Sequence, residues 1–283
     1  MRAASIQRSL GLTAAMVACI AVFGAPAASA AQPHCGDLIK KDVKLTKNLD
    51  CSASNSDGLD IGANRVTIDL NGHKIIGPAG SYYGIYVSSS EGWDNLTVKN
   101  GTISGFDYSV YTYYSSNLHV SNMRLKLKGT NDDYGLYLYY SRGLRVSKTK
   151  IDNAYYGAYI YDAPNMRITK SKVTGSDDTQ TYGFYPYYAT GTIDDVEANG
   201  AYYGAYLTGY SDGLTVKNST FNDAGYAGVY ASNSTPLVRY DYILRNNTAN
   251  NSDNYGFYAN YDVGGSGNKA KGAGTQNFHN VPH

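Results

Sequence analysis

Eight tyrosines set one frame along this chain: Tyr86, Tyr111, Tyr137, Tyr159, Tyr185, Tyr206, Tyr230 and Tyr258 follow one another at 25, 26, 22, 26, 21, 24 and 28 residues. A glycine stands two residues before seven of them (Gly84, Gly135, Gly157, Gly183, Gly204, Gly228, Gly256), and Ser109 replaces it once. Each unit opens with a short alternating strand that cannot bury an apolar face alone, so successive units must stack and share a core. Stacking places the tyrosines in a column.

A second half recurs in each unit as Leu-x-Val-x-Asn-x-x-Ile. It reads Leu96, Val98, Asn100, Ile103, then Leu118, Val120, Asn122, Leu125, and again Leu144, Val146, Lys148, Ile151. Alternation this short means a strand with one buried face. The Asn position falls at a bend, where Asn tolerates left-handed geometry and can hydrogen-bond the next coil. Each coil therefore holds about three short strands, and no helix-period segment of useful length lies between Gly36 and His283. The residues flanking each tyrosine, such as Ile85 and Val87 or Leu136 and Leu138, are apolar and face inward, so the tyrosine faces out.

The amino-terminal stretch is of another kind. Arg2 and Arg8 precede an apolar run from Leu10 to Phe23, and Ala28-Ser29-Ala30 reads as a cleavage site, so residues 1–30 are expected to be a secretory leader. The run is shorter than a membrane span requires, and no second such stretch follows; the expectation is an exported, extracellular protein without a membrane span. Loss of Arg2 and Arg8 with the leader takes the formal net charge from +1 to −1. That balance argues against nucleic acid as a partner. The two cysteines that remain, Cys35 and Cys51, are expected to pair, because exported chains oxidise their thiols.

Gly-φ-Tyr-φ, a turn, and Leu-x-Val-x-Asn-x-x-Ile together resemble the right-handed parallel β-helix repeat of pectate-lyase-like and NosD-type proteins, over roughly Leu59 to Tyr261. The segment Arg65-Val-Thr-Ile-Asp-Leu-Asn-Gly-His-Lys-Ile-Ile-Gly77 looks like the first coil of secreted bacterial members. The resemblance implies an all-β, right-handed parallel β-helix of about eight to ten coils with a disulfide-bearing amino-terminal cap. The expected layout is leader 1–30, cap 31–58, β-helix 59–263 and carboxy-terminal coil or tail 264–283. One such solenoid carries lyases, hydrolases, epimerases, adhesins and metal-delivery proteins, so activity must be argued from a site.

Three surfaces compete for that role. The tyrosine column, with Tyr139 and Tyr161 beside Tyr86, Tyr111, Tyr137, Tyr159, Tyr185 and Tyr206, is the expected ligand-binding face. A regular hydroxyl-bearing aromatic face on an exported protein suits an extended polysaccharide. Stacking the second half of the repeat puts Arg145 over Arg167, Lys148 over Lys170 and Lys150 over Lys172; this basic strip, with Arg145 and Lys170 as its ligand-binding members, suits an acidic polymer. Asp133, Asp177, Asp178 and Arg167 are the candidates for catalysis, because lyases resembling this chain hold calcium on acidic residues and use Arg or Lys as base, and hydrolases cluster carboxylates. Sequential pairs such as Asp177-Asp178 face opposite ways on a strand and make no dyad by themselves. No His, Cys or Met cluster has metal-ligand spacing, so no metal or other cofactor is expected, calcium excepted if the chain is a lyase. The favoured expectation is a non-catalytic polysaccharide binder; the alternatives are a polysaccharide lyase or glycoside hydrolase, and a surface protein whose tyrosine columns pair between molecules in self-association.

Overall fold

In the computed structural model the described residues are 32–283 except 79, 81, 89–91, 177–179, 210–212, 233–241 and 262. They wind into a parallel β-solenoid of about 9 turns, with no helix among them. The expected leader and the pair Asp177-Asp178 lie outside the described residues.

Each coil contributes one strand to a long sheet and two to a second, bent one. The first sheet has 11 strands stacked in chain order. Its central members are Tyr83–Ser88, Tyr108–Tyr113, Tyr134–Tyr139, Tyr156–Tyr161, Tyr182–Tyr187, Tyr203–Thr208, Ala227–Ser232 and Tyr255–Ala259. The second sheet runs through strands such as Thr97–Ser104 and His119–Lys126, which cross the bend unbroken, and then through split pairs such as Arg145–Ser147 with Lys150–Ala154. Every ladder pairing is parallel, Tyr137 against Tyr111 and Tyr159, Val146 against Val120 and Ile168.

The core is the closed interior of the coils, and side-chain sizes trade off within them. Phe184 shares its coil with Ala198, Ala205 with Phe221, and Phe257 with Ala270, whereas the earlier coils pair residues of medium size, Ile85 with Ile103 and Leu136 with Ile151. Nearly constant volume per coil is what close packing demands of a tube of fixed bore.

The glycine before each tyrosine is required by the approach of neighbouring coils. A Cβ on Gly157 would lie 2.4 Å from the carbonyl oxygen of Gly183, and one on Gly183 would lie 2.4 Å from that of Gly204. The bend residues adopt the expected left-handed conformation, Asn100 at φ 62° and Asn122 at φ 53°. Their amides run from coil to coil, Asn122 Nδ2 donating to Asn100 Oδ1 (3.0 Å) and Asn100 Nδ2 to Asp69 Oδ1 (3.1 Å).

The two ends are finished differently. Cys35 and Cys51 form the expected disulfide, with Cα atoms 5.7 Å apart. Closing a loop of that length is worth about 3 kcal/mol. At the other end Gly264–Ser266, Lys269–Lys271 and Gln276–His279 pair with all three strands of the preceding coil. Asn268 Nδ2 then donates to the carbonyl of Pro282 (2.9 Å), drawing the last residues back onto the stack.

Candidate functional site

The expected tyrosine column exists and is continuous. Consecutive rings from Tyr86 to Tyr258 lie 4.9 to 5.5 Å apart, the coil spacing of a parallel sheet. Most are stacked nearly flat, as Tyr111 on Tyr137 (6°) and Tyr230 on Tyr258 (5°), but Tyr185 meets both neighbours edge-on, at 86° and 88°.

A second column, seven tyrosines long and interrupted once by Ala227, was not anticipated. Tyr83, Tyr108, Tyr134, Tyr156, Tyr182, Tyr203 and Tyr255 stand three residues before the first set and also face outward. Strict alternation would turn them inward. In the strand pattern, though, the glycine and the apolar residue after it are both buried, as in Tyr134-Gly-Leu-Tyr137, so the strand slips phase there and both tyrosines emerge on one side. Tyr134 stacks on Tyr156 (4.6 Å, 4°) and Tyr156 on Tyr182 (4.9 Å, 4°). The two columns interlock edge to face, Tyr134 with Tyr137 at 5.0 Å and 89°. Such contacts contribute about 0.5–1.5 kcal/mol per pair.

The face is widest at the coils between Tyr111 and Tyr188. There Tyr113, Tyr139, Tyr161 and Tyr187 form a third column, with Tyr139 and Tyr161 stacked at 4.6 Å. Tyr114, Tyr140 and Tyr188 border it at φ 58°, 50° and 53°. A bulky side chain held left-handed costs about 1 kcal/mol, and the result is a projecting edge: Tyr114 stacks on Tyr140 at 4.7 Å and is 43% exposed. Every other ring of the columns is half-buried by its neighbours. The surface is therefore a mat of phenols rather than a row of separate rings.

Mutual burial keeps the phenols protonated. Burial, and then neighbouring phenols, push Tyr111, Tyr156, Tyr182 and Tyr206 up to about 12. Burial raises Tyr137 and Tyr159 further, helped by hydrogen bonding to Tyr139. The mat presents neutral hydroxyls, each able to donate and accept.

The columns end on side chains of another kind. Register places Asp60 directly beneath Tyr86, and Asp57 Oδ1 accepts the backbone N–H of Tyr83 (2.9 Å) at the foot of the second column. Asp60 is pushed up to about 6, by burial first and by Asp57 second; burial also raises Asp57, against the hydrogen bond from Tyr83. The Oδ1 atom of Asp60 is enclosed and has no hydrogen-bond partner. At the far end the His279 ring stacks on Tyr258 (4.7 Å, 7°).

The expected basic strip lies on the bent sheet, around the corner from the mat. Arg145 pairs with Arg167 and Lys150 with Lys172 in register. Its lower row is largely neutralised: Asp152 takes Lys150 (3.0 Å) and Arg124 (2.7 Å), and Glu197 of the next coil takes Lys172 (2.7 Å). The upper row keeps its charge beside a shallow depression of about 500 Å³ lined by Ser147, Lys148, Arg167, Thr169, Lys170, Asp194, Asp195 and Asn218.

Of the residues nominated for catalysis, the two that are described, Asp133 and Arg167, have different roles and places. Asp133 is fully buried and holds a turn, accepting from Lys128 N (2.7 Å), Thr130 N (3.0 Å) and Thr130 Oγ1 (2.9 Å). It precedes the Tyr134–Tyr139 strand, whereas Arg167 is exposed on the bent sheet beyond it. Among the described residues no group of three or more His, Cys, Asp or Glu is placed to hold a metal ion.

Comparison with known proteins bears on the fold. The chain matches the family model described as right handed beta helix region over residues 40–189 and 134–277. An alginate lyase from Paenibacillus sp. str. FPU-7 superposes with a TM-score of 0.62 at 13% identity, covering 84% of this chain and 100% of that one. The mannuronan C-5 epimerase AlgE4 A-module of Azotobacter vinelandii matches at a TM-score of 0.37 and 12% identity (84% and 89% covered). Endopolygalacturonase I from Stereum purpureum matches at 0.37 and 9% (88% and 96% covered). No curated protein matches the chain. Identity this low speaks for the coil architecture alone.

Proposed function

We propose that this chain, which belongs to the right-handed β-helix family, is an exported protein that holds an extended polysaccharide along its tyrosine face. The observation that carries this reading is the phenol mat: an unbroken column from Tyr86 to Tyr258, a second column interlocked with it, and a third across its middle. Eight rungs at about 4.8 Å span roughly 34 Å, a length that suits a polymer rather than a small molecule. Sugar rings lay their C–H faces on aromatic rings while neutral phenols bond their hydroxyls, and tyrosines already fixed by one another lose little freedom on binding. The Cys35–Cys51 bond fits an oxidising compartment and so supports export.

Binding without turnover is the reading the side chains favour, since Asp133 is consumed by its turn and Arg167 lies on another face. The test is native electrophoresis in gels cast with polysaccharides, followed by staining for residual polymer. Retardation without clearing is expected, and Tyr137→Ala with Tyr159→Ala should abolish it while the β-rich circular dichroism spectrum persists. Unchanged retardation in that double variant would remove the tyrosine face as the binding surface.

A further inference from the structure

Carboxylates occur around the whole coil, and on the bent sheet Asp69, Asp152, Asp194 and Glu197 are taken by lysine or arginine, whereas four that border the tyrosine face are not. Asp57 and Asp60 close its two main columns at the amino-terminal end. Asp162 takes the left-handed border position between Tyr140 and Tyr188, at φ 51°. Asp132 stands two residues before Tyr134, on the opposite border. Neither Asp57, Asp60, Asp132 nor Asp162 has an ion-pair partner among the described residues, whereas Asp107, beside Tyr108, is taken by Lys128. The lysines and arginines that ladder from coil to coil lie on the bent sheet. Near the mat, Arg142 follows Tyr140 in a turn, and Lys40 and Lys41 follow the first strand of the cap on the border away from Asp57.

We propose that the occupant of the tyrosine face is a polysaccharide of amino sugars bearing free ammonium groups, with its charge read at the Asp57–Asp60 end. This rests on the tyrosine-face reading above and names its ligand class. Ammonium over the face of a phenol is attracted by the ring quadrupole, so the mat offers a cation the same platform it offers a sugar. Asp60 has one enclosed oxygen with no donor inside the protein. When ionised, the carboxyl is stabilised by a cation set against its exposed side. A polyuronate along the same face would bring carboxylates onto Asp57 and Asp60 and be repelled. The basic strip cannot compensate, because a corner of the coil separates it from the mat.

The deciding experiment measures retention of the mature protein on three β-linked polymers: a neutral glucan, a polyglucosamine quaternised to trimethylammonium so that its charge is fixed, and a polyuronate. The expected order is quaternised polymer, glucan, polyuronate, with about tenfold between the first two, the scale of a pair of partly shielded charge contacts. Asp57→Asn with Asp60→Asn should erase the tenfold advantage, leave glucan retention unchanged, and keep the circular dichroism spectrum; added salt should weaken the cationic polymer alone. Equal retention of glucan and cationic polymer, preference for the polyuronate, or indifference to the double Asn variant overturns the amino-sugar assignment and leaves the tyrosine face standing. Retention of none of the three removes the tyrosine-face reading, and this inference with it.

Discussion

The same coils build two outward faces at the same spacing, and the two faces solve the stacking problem in opposite ways. On the long sheet, tyrosine repeats without interruption from Tyr86 to Tyr258 because neutral rings attract one another across coils. On the bent sheet identical cations repeat only twice, Arg145 over Arg167 and Lys150 over Lys172, before the column changes to Thr192 and Glu197. Like charges at strand spacing repel, so the Lys150–Lys172 run recruits carboxylates from its own strand and the next coil, while the Arg145–Arg167 run stops after two coils. Repetition is self-supporting for phenols and self-limiting for cations. A long uniform surface on this fold must therefore be uncharged, and here it is aromatic.

The harshest way to break the contrast is to misalign the tyrosine face at its corner. Gly157→Ala forces a Cβ to within 2.4 Å of the next coil's carbonyl oxygen. Overpacking against rigid backbone of this kind costs about 3 kcal/mol, readable as a lower midpoint in urea. Ser109 sits at the same place in its coil, buried, with an Oγ that has no partner. Its coil already accommodates a Cβ, so Ser109→Ala should be neutral or raise stability by about 1 kcal/mol. Equal losses for the two variants would show that the corner is plastic.

Next in size is the face itself. Replacing Tyr137 and Tyr159 by Ala removes stacked and edge-on contacts to both columns, at about 1 kcal/mol per ring. The fold should survive, and polysaccharide retention should not. Arg145→Ser with Arg167→Ser is the matched change on the other face; it should leave that retention intact and alter stability by no more than about 0.5 kcal/mol. A loss of retention equal to that of the tyrosine pair would mean the ligand turns the corner.

These faces were unequally legible in the sequence. The Gly-φ-Tyr frame gave away the solenoid because a close approach between coils admits little else at the glycine. The column at Tyr83, Tyr108 and Tyr134 was hidden by the same glycine, since two consecutive buried residues break the two-residue period on which an inward or outward reading depends. Asp57 and Asp60 were overlooked because their coil carries no tyrosine; aligning Leu59-Asp60-Ile61 with Ile85-Tyr86-Val87 would have put Asp60 in the column. The upper row of the basic strip was read correctly as a stack, but Lys172 meets Glu197 through a register that spans 25 residues, which spacing alone does not reveal.

A smaller effect follows from Asp60. Burial raises its carboxyl from the ordinary aspartate value to about 6, so the folded state holds the proton more tightly than the unfolded chain. Stability from this group is therefore greatest below pH 4 and declines as pH rises toward 6. Asp57, raised in the same direction, adds to the trend, while the phenol of the neighbouring Tyr83 is itself raised above its ordinary value, by burial first, and takes no part in that window. Melting temperature should fall across pH 4 to 6 in the wild type more steeply than in Asp60→Asn, once the shared background of the other carboxylates is subtracted. Parallel curves would show that the carboxyl is solvated in solution. Retention of the quaternised polymer should rise over the same interval as the charge appears.

The gentlest test returns to the bent sheet. Asn100 and Asn122 hold the left-handed bend and link their coils through side-chain amides, but Lys148 and Lys170 occupy the next two bends at φ 50° and 51° and interrupt the ladder. Lysine gains nothing from that conformation, whereas Asn bonds locally and tolerates it. Lys148→Asn with Lys170→Asn should extend the amide ladder from Asn122 toward Asn218 and raise stability by about 0.5 kcal/mol per site. If the lysines are kept for a ligand in the depression beside Arg167, that stabilised variant will bind an anionic polymer less well than the wild type. If they are only a lapse in the repeat, stability rises and binding of every polymer stays the same, and the tyrosine mat is then the one face of the coil shaped by its ligand.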